Sequence, residues 1–127
     1  MASDSQKRLV QKWIEALESG EYPQTTYSLH NQEGYCCLGV LCEVAGIRSR
    51  IESPTTGWYI FGPFPDGTSD GELPPDTWFY RVTGFDSEFK RKLAEMNDDE
   101  NKSFKEIAQR IREELSSKEA EQLKLFS

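Results

Sequence analysis

Glu33-Gly34-Tyr35-Cys36-Cys37-Leu38-Gly39-Val40-Leu41-Cys42-Glu43-Val44-Ala45-Gly46 carries all three cysteines of the chain within seven residues of an otherwise polar sequence. Such a cluster invites three readings: a metal site, a disulfide or a nucleophile. Zinc sites pair cysteines two to four residues apart and add a second ligand pair elsewhere. Here the only other soft ligand is His30. Neighbouring side chains on a helix diverge by roughly 100°, so Cys36 and Cys37 are poorly placed to grip one tetrahedral ion. Five or six helical residues separate Cα atoms by about 8–9 Å, too far for a bridge to Cys42. A core reading fits better. Cys37, Leu38, Leu41, Cys42 and Ala45 make a helical apolar stripe in which free cysteine serves as a small hydrophobe. The spacing predicts a helix from about Tyr35 to Ala45, ended by Gly46. Gly39 inside it costs about 1 kcal/mol against alanine, which points to close approach of another backbone.

Working outward, Leu9, Val10, Trp13, Ile14 and Leu17 recur at helical spacing, so a first helix is expected from about Ser5 to Ser19. Asp4 or Ser5 would cap it and Gly20 would close it. Thr25-Thr26-Tyr27-Ser28-Leu29 alternates enough for a short strand, and Asn31-Gln32-Glu33-Gly34 reads as a turn. From Arg48 to Asp76 the chain becomes rich in proline, glycine and aromatic residues. Gly57-Trp58-Tyr59-Ile60-Phe61 is a strand candidate and Pro65-Asp66-Gly67 a turn. This region is too aromatic for a linker and reads as an ordered, loop-rich, functional element.

Leu73-Pro74-Pro75-Asp76 opens a short helix that ends before Gly84. Asp86 or Ser87 caps another through about Met96, with Phe89, Leu93 and Met96 on one face. Ser103-Phe104-Lys105-Glu106 is a capping box, followed by Ile107, Ala108, Ile111 and Leu115 at helical spacing. Residues 116–127 continue only a weak pattern, as a frayed or partner-packing tail. The expected fold is α+β: one mostly helical domain spanning 1–127, with a small antiparallel hairpin or sheet from the central loops. Trp13, Ile14, Leu17, Leu38, Leu41, Phe104, Ile107 and Ile111 are the expected core.

The Cys-Cys-Leu-Gly-Val-Leu-Cys run follows an amphipathic helix with a Trp-Ile pair. After it come Glu72-Leu73-Pro74-Pro75, Leu93-Ala94-Glu95-Met96-Asn97-Asp98 and Ser103-Phe104-Lys105-Glu106-Ile107-Ala108. In that order these motifs resemble a group of small phage and prophage proteins of unassigned function, from about Lys12 to Leu115. The cysteine run is the most specific part. The resemblance implies a viral accessory protein in a bacterial cytoplasm and brings no catalytic residues.

With 127 residues the chain supports one domain. Only 36% of residues are hydrophobic, so homodimerisation or a higher homo-oligomer is expected as added support. The net charge of -7 and the absence of a basic stripe argue against duplex nucleic acid. No apolar run reaches the roughly 18–20 residues that span a membrane, and Met1 to Arg8 lack the apolar core of a signal peptide. An odd, unbridgeable cysteine count fits a reducing cytosol.

No phosphate loop, dinucleotide fingerprint or metalloprotease motif occurs, so no cofactor is expected. Asp66, Asp70 and Glu72 lack the ordered spacing of a calcium loop and read as a solvated turn, leaving no metal assigned. Cys36 at a helix N-terminus, six residues after His30, offers a thiol-enzyme reading; a solvent-facing His30 is the plainer alternative. The remaining concentration is aromatic plus arginine. Trp58, Tyr59, Trp78 and Tyr80 could stack a planar base while Arg48, Arg50 and Arg81 pair with phosphate. An aromatic minicore accounts for about half of that segment's rings. The leading expectation is a non-enzymatic phage accessory protein that sequesters a small nucleotide-derived host defence signal. The alternatives are an acidic protein-binding inhibitor of a host defence or nuclease protein, and the thiol enzyme using Cys36.

Overall fold

Nine elements follow one another in the computed structural model, which describes residues 3–53, 58–65, 67–69 and 73–126, without the side chains of 52, 53, 58 and 119–126. They are α1 (Asp4–Ser19), β1 (His30–Asn31), β2 (Gly34–Tyr35), α2 (Cys37–Val44), β3 (Ser49–Ser53), β4 (Trp58–Phe61), α3 (Asp76–Thr83), α4 (Ser87–Asp98) and α5 (Phe104–Phe126). The chain is thus mostly helical with two small antiparallel ladders, β1–β2 and β3–β4. A single pairing, Asn31 with Trp58, joins them in the order β2-β1-β4-β3.

The apolar face of α1, Val10, Trp13, Ile14 and Leu17, is buried against α2, α3 and α5. Its cap lies one residue earlier than the expected Asp4 or Ser5. Ser3 accepts from Gln6 N, and Ser3 N donates to Gln6 Oε1 at 2.8 Å, because a glutamine three residues on completes the reciprocal box. Gly20 closes the helix in the left-handed region, φ 78°.

Every residue from Cys37 to Cys42 is buried. An all-round apolar helix belongs at the centre of a domain, and α2 sits there. Cys36 stands outside the helix as its N-cap, its Sγ accepting from Gly39 N. Trp13 Nε1 donates to Cys37 O at 2.8 Å, which fixes α1 on α2. A Cβ on Gly39 would lie 1.8 Å from Leu29 O, so the close backbone approach is real.

Thr25–Leu29 does not form the expected strand. Tyr27 takes a left-handed conformation, φ 60°, and breaks the alternation. The turn delivers this segment to the C-terminal end of α4. Tyr27 N donates to Asp98 Oδ1, and Asn97 Nδ2 donates to Thr25 O, both at 2.8 Å. The fully buried Asn97 also accepts from Cys37 N and from Gln24 Nε2. One amide thereby joins the loop, α2 and α4, with its polar groups satisfied inside an apolar core. The strands form on either side of the expected turn instead, with Asn31 opposite Gly34.

Asp86 caps α4 and Ser103 caps α5, as their spacing indicates. Helical backbone in α5 continues to Phe126. All eight expected core residues are buried, together with Phe61, Phe64, Phe79 and Phe85. Glu18 and Arg112 form a two-pronged ion pair across α1 and α5.

Candidate functional site

The Pro74-Pro75-Asp76 sequence, by removing backbone donors, sets where α3 starts. Pro75 is the N-cap and makes no side-chain cap hydrogen bond. The buried Lys90 of α4 holds this end, its Nζ donating to Pro74 O at 2.6 Å and forming an ion pair with Asp76. At the other end, Gly84 turns the chain with φ 80°. Thr83 Oγ1 donates to Phe79 O at 2.7 Å and accepts from Phe85 N at 3.0 Å. Gln6 of α1 then donates to Arg81 O at 2.9 Å and, more weakly, to Tyr80 O at 3.5 Å.

Helical periodicity sorts the side chains of this short element. Trp78, Phe79 and Thr83 point inward, while Tyr80, 58% exposed, and Arg81 face solvent. Beside them lies an open hollow of about 590 Å³ lined by Gln6, Asp76, Thr77, Tyr80, Arg81, Asp86 and Ser87. A second hollow of about 90 Å³ is lined by Pro65, Thr77, Trp78 and Arg81. Thr77 and Arg81 therefore border both.

Charge in the larger hollow is partly spoken for. Asp76 is paired with Lys90, and Asp86 Oδ1 accepts from Phe89 N at 2.9 Å as the cap of α4. The Arg81 side chain makes no ion pair among the described residues. The second oxygen of Asp86 is an acceptor and the guanidinium of Arg81 a donor, and both residues line the hollow.

The residues singled out from sequence separate into two places. Trp78, Tyr80 and Arg81 share α3. Trp78 is buried edge-on against Phe64, with ring centroids 4.9 Å apart, so it belongs to the aromatic core while touching the smaller hollow. Arg48 lies just before β3 and Arg50 within it, both exposed, and Tyr59 lies on β4. These three do not line either hollow on α3. Trp58 occupies β4, but its side chain falls outside the described residues, as do Asp66, Asp70 and Glu72. Asp76, Asp86 and Ser87 were legible only as helix-start residues, Gln6 and Thr77 carried no signal, and nothing in their spacing announces a common hollow.

The His30 ring and the Cys36 thiol have different partners, the thiol accepting from Gly39 N. The His30 ring is sandwiched between Tyr35 and Tyr59, at centroid distances of 3.9 and 4.0 Å. Its Nδ1 is covered and has no hydrogen-bond partner, and burial lowers its pKa. The expectation of a solvent-facing His30 gives way to a half-buried stacked ring. The core reading of the cysteines holds, and at Cys36 burial outweighs the helix start. Burial pushes the Cys36 thiol up to about 12, outweighing the hydrogen bonds from Gly39 and Leu38 that favour the anion. All three cysteines are buried and none is in a disulfide among the described residues.

Among the described residues no group of His, Cys, Asp and Glu is arranged to hold a metal ion. No helix among them is long and apolar enough to cross a membrane. No curated protein and no solved structure matches the chain. A family model described as a domain of unknown function (DUF8296) does match, over residues 5–52, so α1 through most of β3 is similar to that domain and the α3–α4 region lies beyond the match.

Proposed function

We propose that this is a non-enzymatic accessory protein of phage type that captures a small nucleotide-derived signal of host defence, and that it does so in the hollow on α3. One observation carries the reading: an exposed tyrosine and an arginine that makes no ion pair among the described residues stand side by side on one helix, at the mouth of a hollow of about 590 Å³. That volume lies within the roughly 300–1,000 Å³ of small-ligand sites. Tyr80 supplies the stacking face and Arg81 the phosphate partner. Of the residues expected to bind from sequence, these two carry the site. Arg48, Arg50, Trp58 and Tyr59 on the sheet and the buried Trp78 are not needed for it.

Sequestration needs affinity without turnover, and the hollow fits that task. The element that carries it is pinned at both ends, by Lys90 and by Gln6. A preformed site loses less entropy on binding. Action in the host bacterial cytoplasm and assembly as a homodimer belong to the same reading. An exposed Ile51 on the outer strand β3 is the kind of surface a second copy would cover.

The test is calorimetry and thermal shift with a panel of nucleotides and cyclic dinucleotides. Binding by the wild type, weakened about tenfold or more by Arg81→Ala at unchanged melting temperature, supports the proposal. Gln6 holds the backbone carbonyl of Arg81 rather than its side chain, so the variant keeps that anchor. Well-folded protein that binds no member of the panel overturns it.

A further inference from the structure

Resting on that site, we infer that its ligand is a nucleotide whose base presents two adjacent N–H donors, as guanine does, with its phosphate towards Arg81. Internal bonds already occupy some of the polar groups that line the hollow. Both amide atoms of Gln6 are engaged: Oε1 accepts from Ser3 N, and Nε2 donates to the α3 carbonyls. Asp76 is neutralised by Lys90. Asp86 spends one oxygen on Phe89 N and keeps the other. Arg81 makes no ion pair among the described residues. Beside the hydroxyls of Thr77, Tyr80 and Ser87, which can do either, the hollow therefore offers carboxylate oxygen, which only accepts, and a guanidinium, which only donates.

Both ends are matched by a ligand with an anionic group and a donor edge. Guanine places its ring N–H beside its exocyclic amine, so both can point at the one oxygen that Asp86 keeps. Adenine and cytosine set their amine next to a ring nitrogen lone pair, which a carboxylate repels. The anionic end belongs on the side of Thr77 and Arg81. Those two residues border the adjoining hollow of about 90 Å³, where a phosphate has room beyond the base and sugar.

The experiment is calorimetric titration of the full chain with GMP, AMP, CMP and guanosine, using wild type and Asp86→Asn. Asparagine caps a helix as well as aspartate, so α4 keeps its cap while the free acceptor oxygen becomes an amide donor. The expected result is GMP binding at least about tenfold tighter than AMP or CMP, the size of one charged hydrogen bond. Guanosine should bind more weakly than GMP, and Asp86→Asn should erase the preference while retaining dependence on the phosphate. Equal affinity for GMP, AMP and CMP overturns this inference and leaves the nucleotide site standing, as does an undiminished preference in Asp86→Asn. Absence of binding by every member, together with the wider panel, overturns both.

Discussion

Replacing Gly39 by alanine sets two physical effects against each other, and their sizes decide the sign. Helix propensity alone favours the change by about 1 kcal/mol, since glycine is the poorer residue in a helix interior. Packing opposes it. The new methyl would sit 1.8 Å from Leu29 O and 2.7 Å from Leu29 C, both backbone atoms, so no side chain can rotate out of the way. The carbonyl must retreat by more than an ångström to reach the nearest contact real Cβ atoms make. That same carbonyl accepts from Cys36 N at 3.1 Å, so its retreat weakens the bond leading into the α2 cap. Overpacking of this kind costs about 1–3 kcal/mol, and the strained hydrogen bond about 1 more. Net destabilisation of about 1–3 kcal/mol is expected. Urea unfolding followed by circular dichroism measures it, with Ala16→Gly in α1 calibrating the propensity contribution in the opposite direction. If Gly39→Ala unfolds at the same or a higher urea midpoint than wild type, the backbone contact does not constrain the fold and the reasoning fails.

Asn97→Ala removes an amide that bonds Thr25 O, Cys37 N and Gln24, stranding buried backbone groups, and should cost about 2 kcal/mol or more; a thermal melt within a degree of wild type would contradict that. Cys36 should react with iodoacetamide at neutral pH far more slowly than a free thiol, since it is buried and its pKa stands at about 12; a rate matching glutathione would refute the burial. The same shift sets a pH dependence. Above the ordinary value of 9.0 the unfolded chain releases this proton while the folded chain keeps it, so stability should fall as pH rises from about 9 towards 12. Cys36→Ser should reduce the slope without abolishing it, because burial also raises the pKa of Cys37, and a denaturation series across this range reads the difference.

How much of this was legible beforehand varies by element. α1, α4 and α5 announce themselves because their apolar residues recur at helical spacing between good caps, and such local signals survive into the tertiary structure. The weak point was Thr25–Leu29, where alternation suggested a strand. Its conformation is set by partners some seventy residues away, Asn97 and Asp98, which no local pattern encodes. The state of the Cys36 thiol illustrates the same limit. Its place at a helix start argues for a thiolate, but its pKa depends on how much protein covers it.

By itself, the sequence determined the helices, the turn before α2, the need for a small residue at 39 and the membership of the core. Those follow from spacing and from the conformational limits of single residues. Only the tertiary structure decided which polar residues would meet. Gln6, Thr77, Arg81 and Asp86 come from three helices and converge because α3 is short, pinned at both ends and turned sharply at Gly84 into α4. It also divided the candidate arginines, giving Arg81 to the hollow and leaving Arg48 and Arg50 with the sheet. Proximity of that kind arises from long-range packing, and a chain read residue by residue does not contain it in local form.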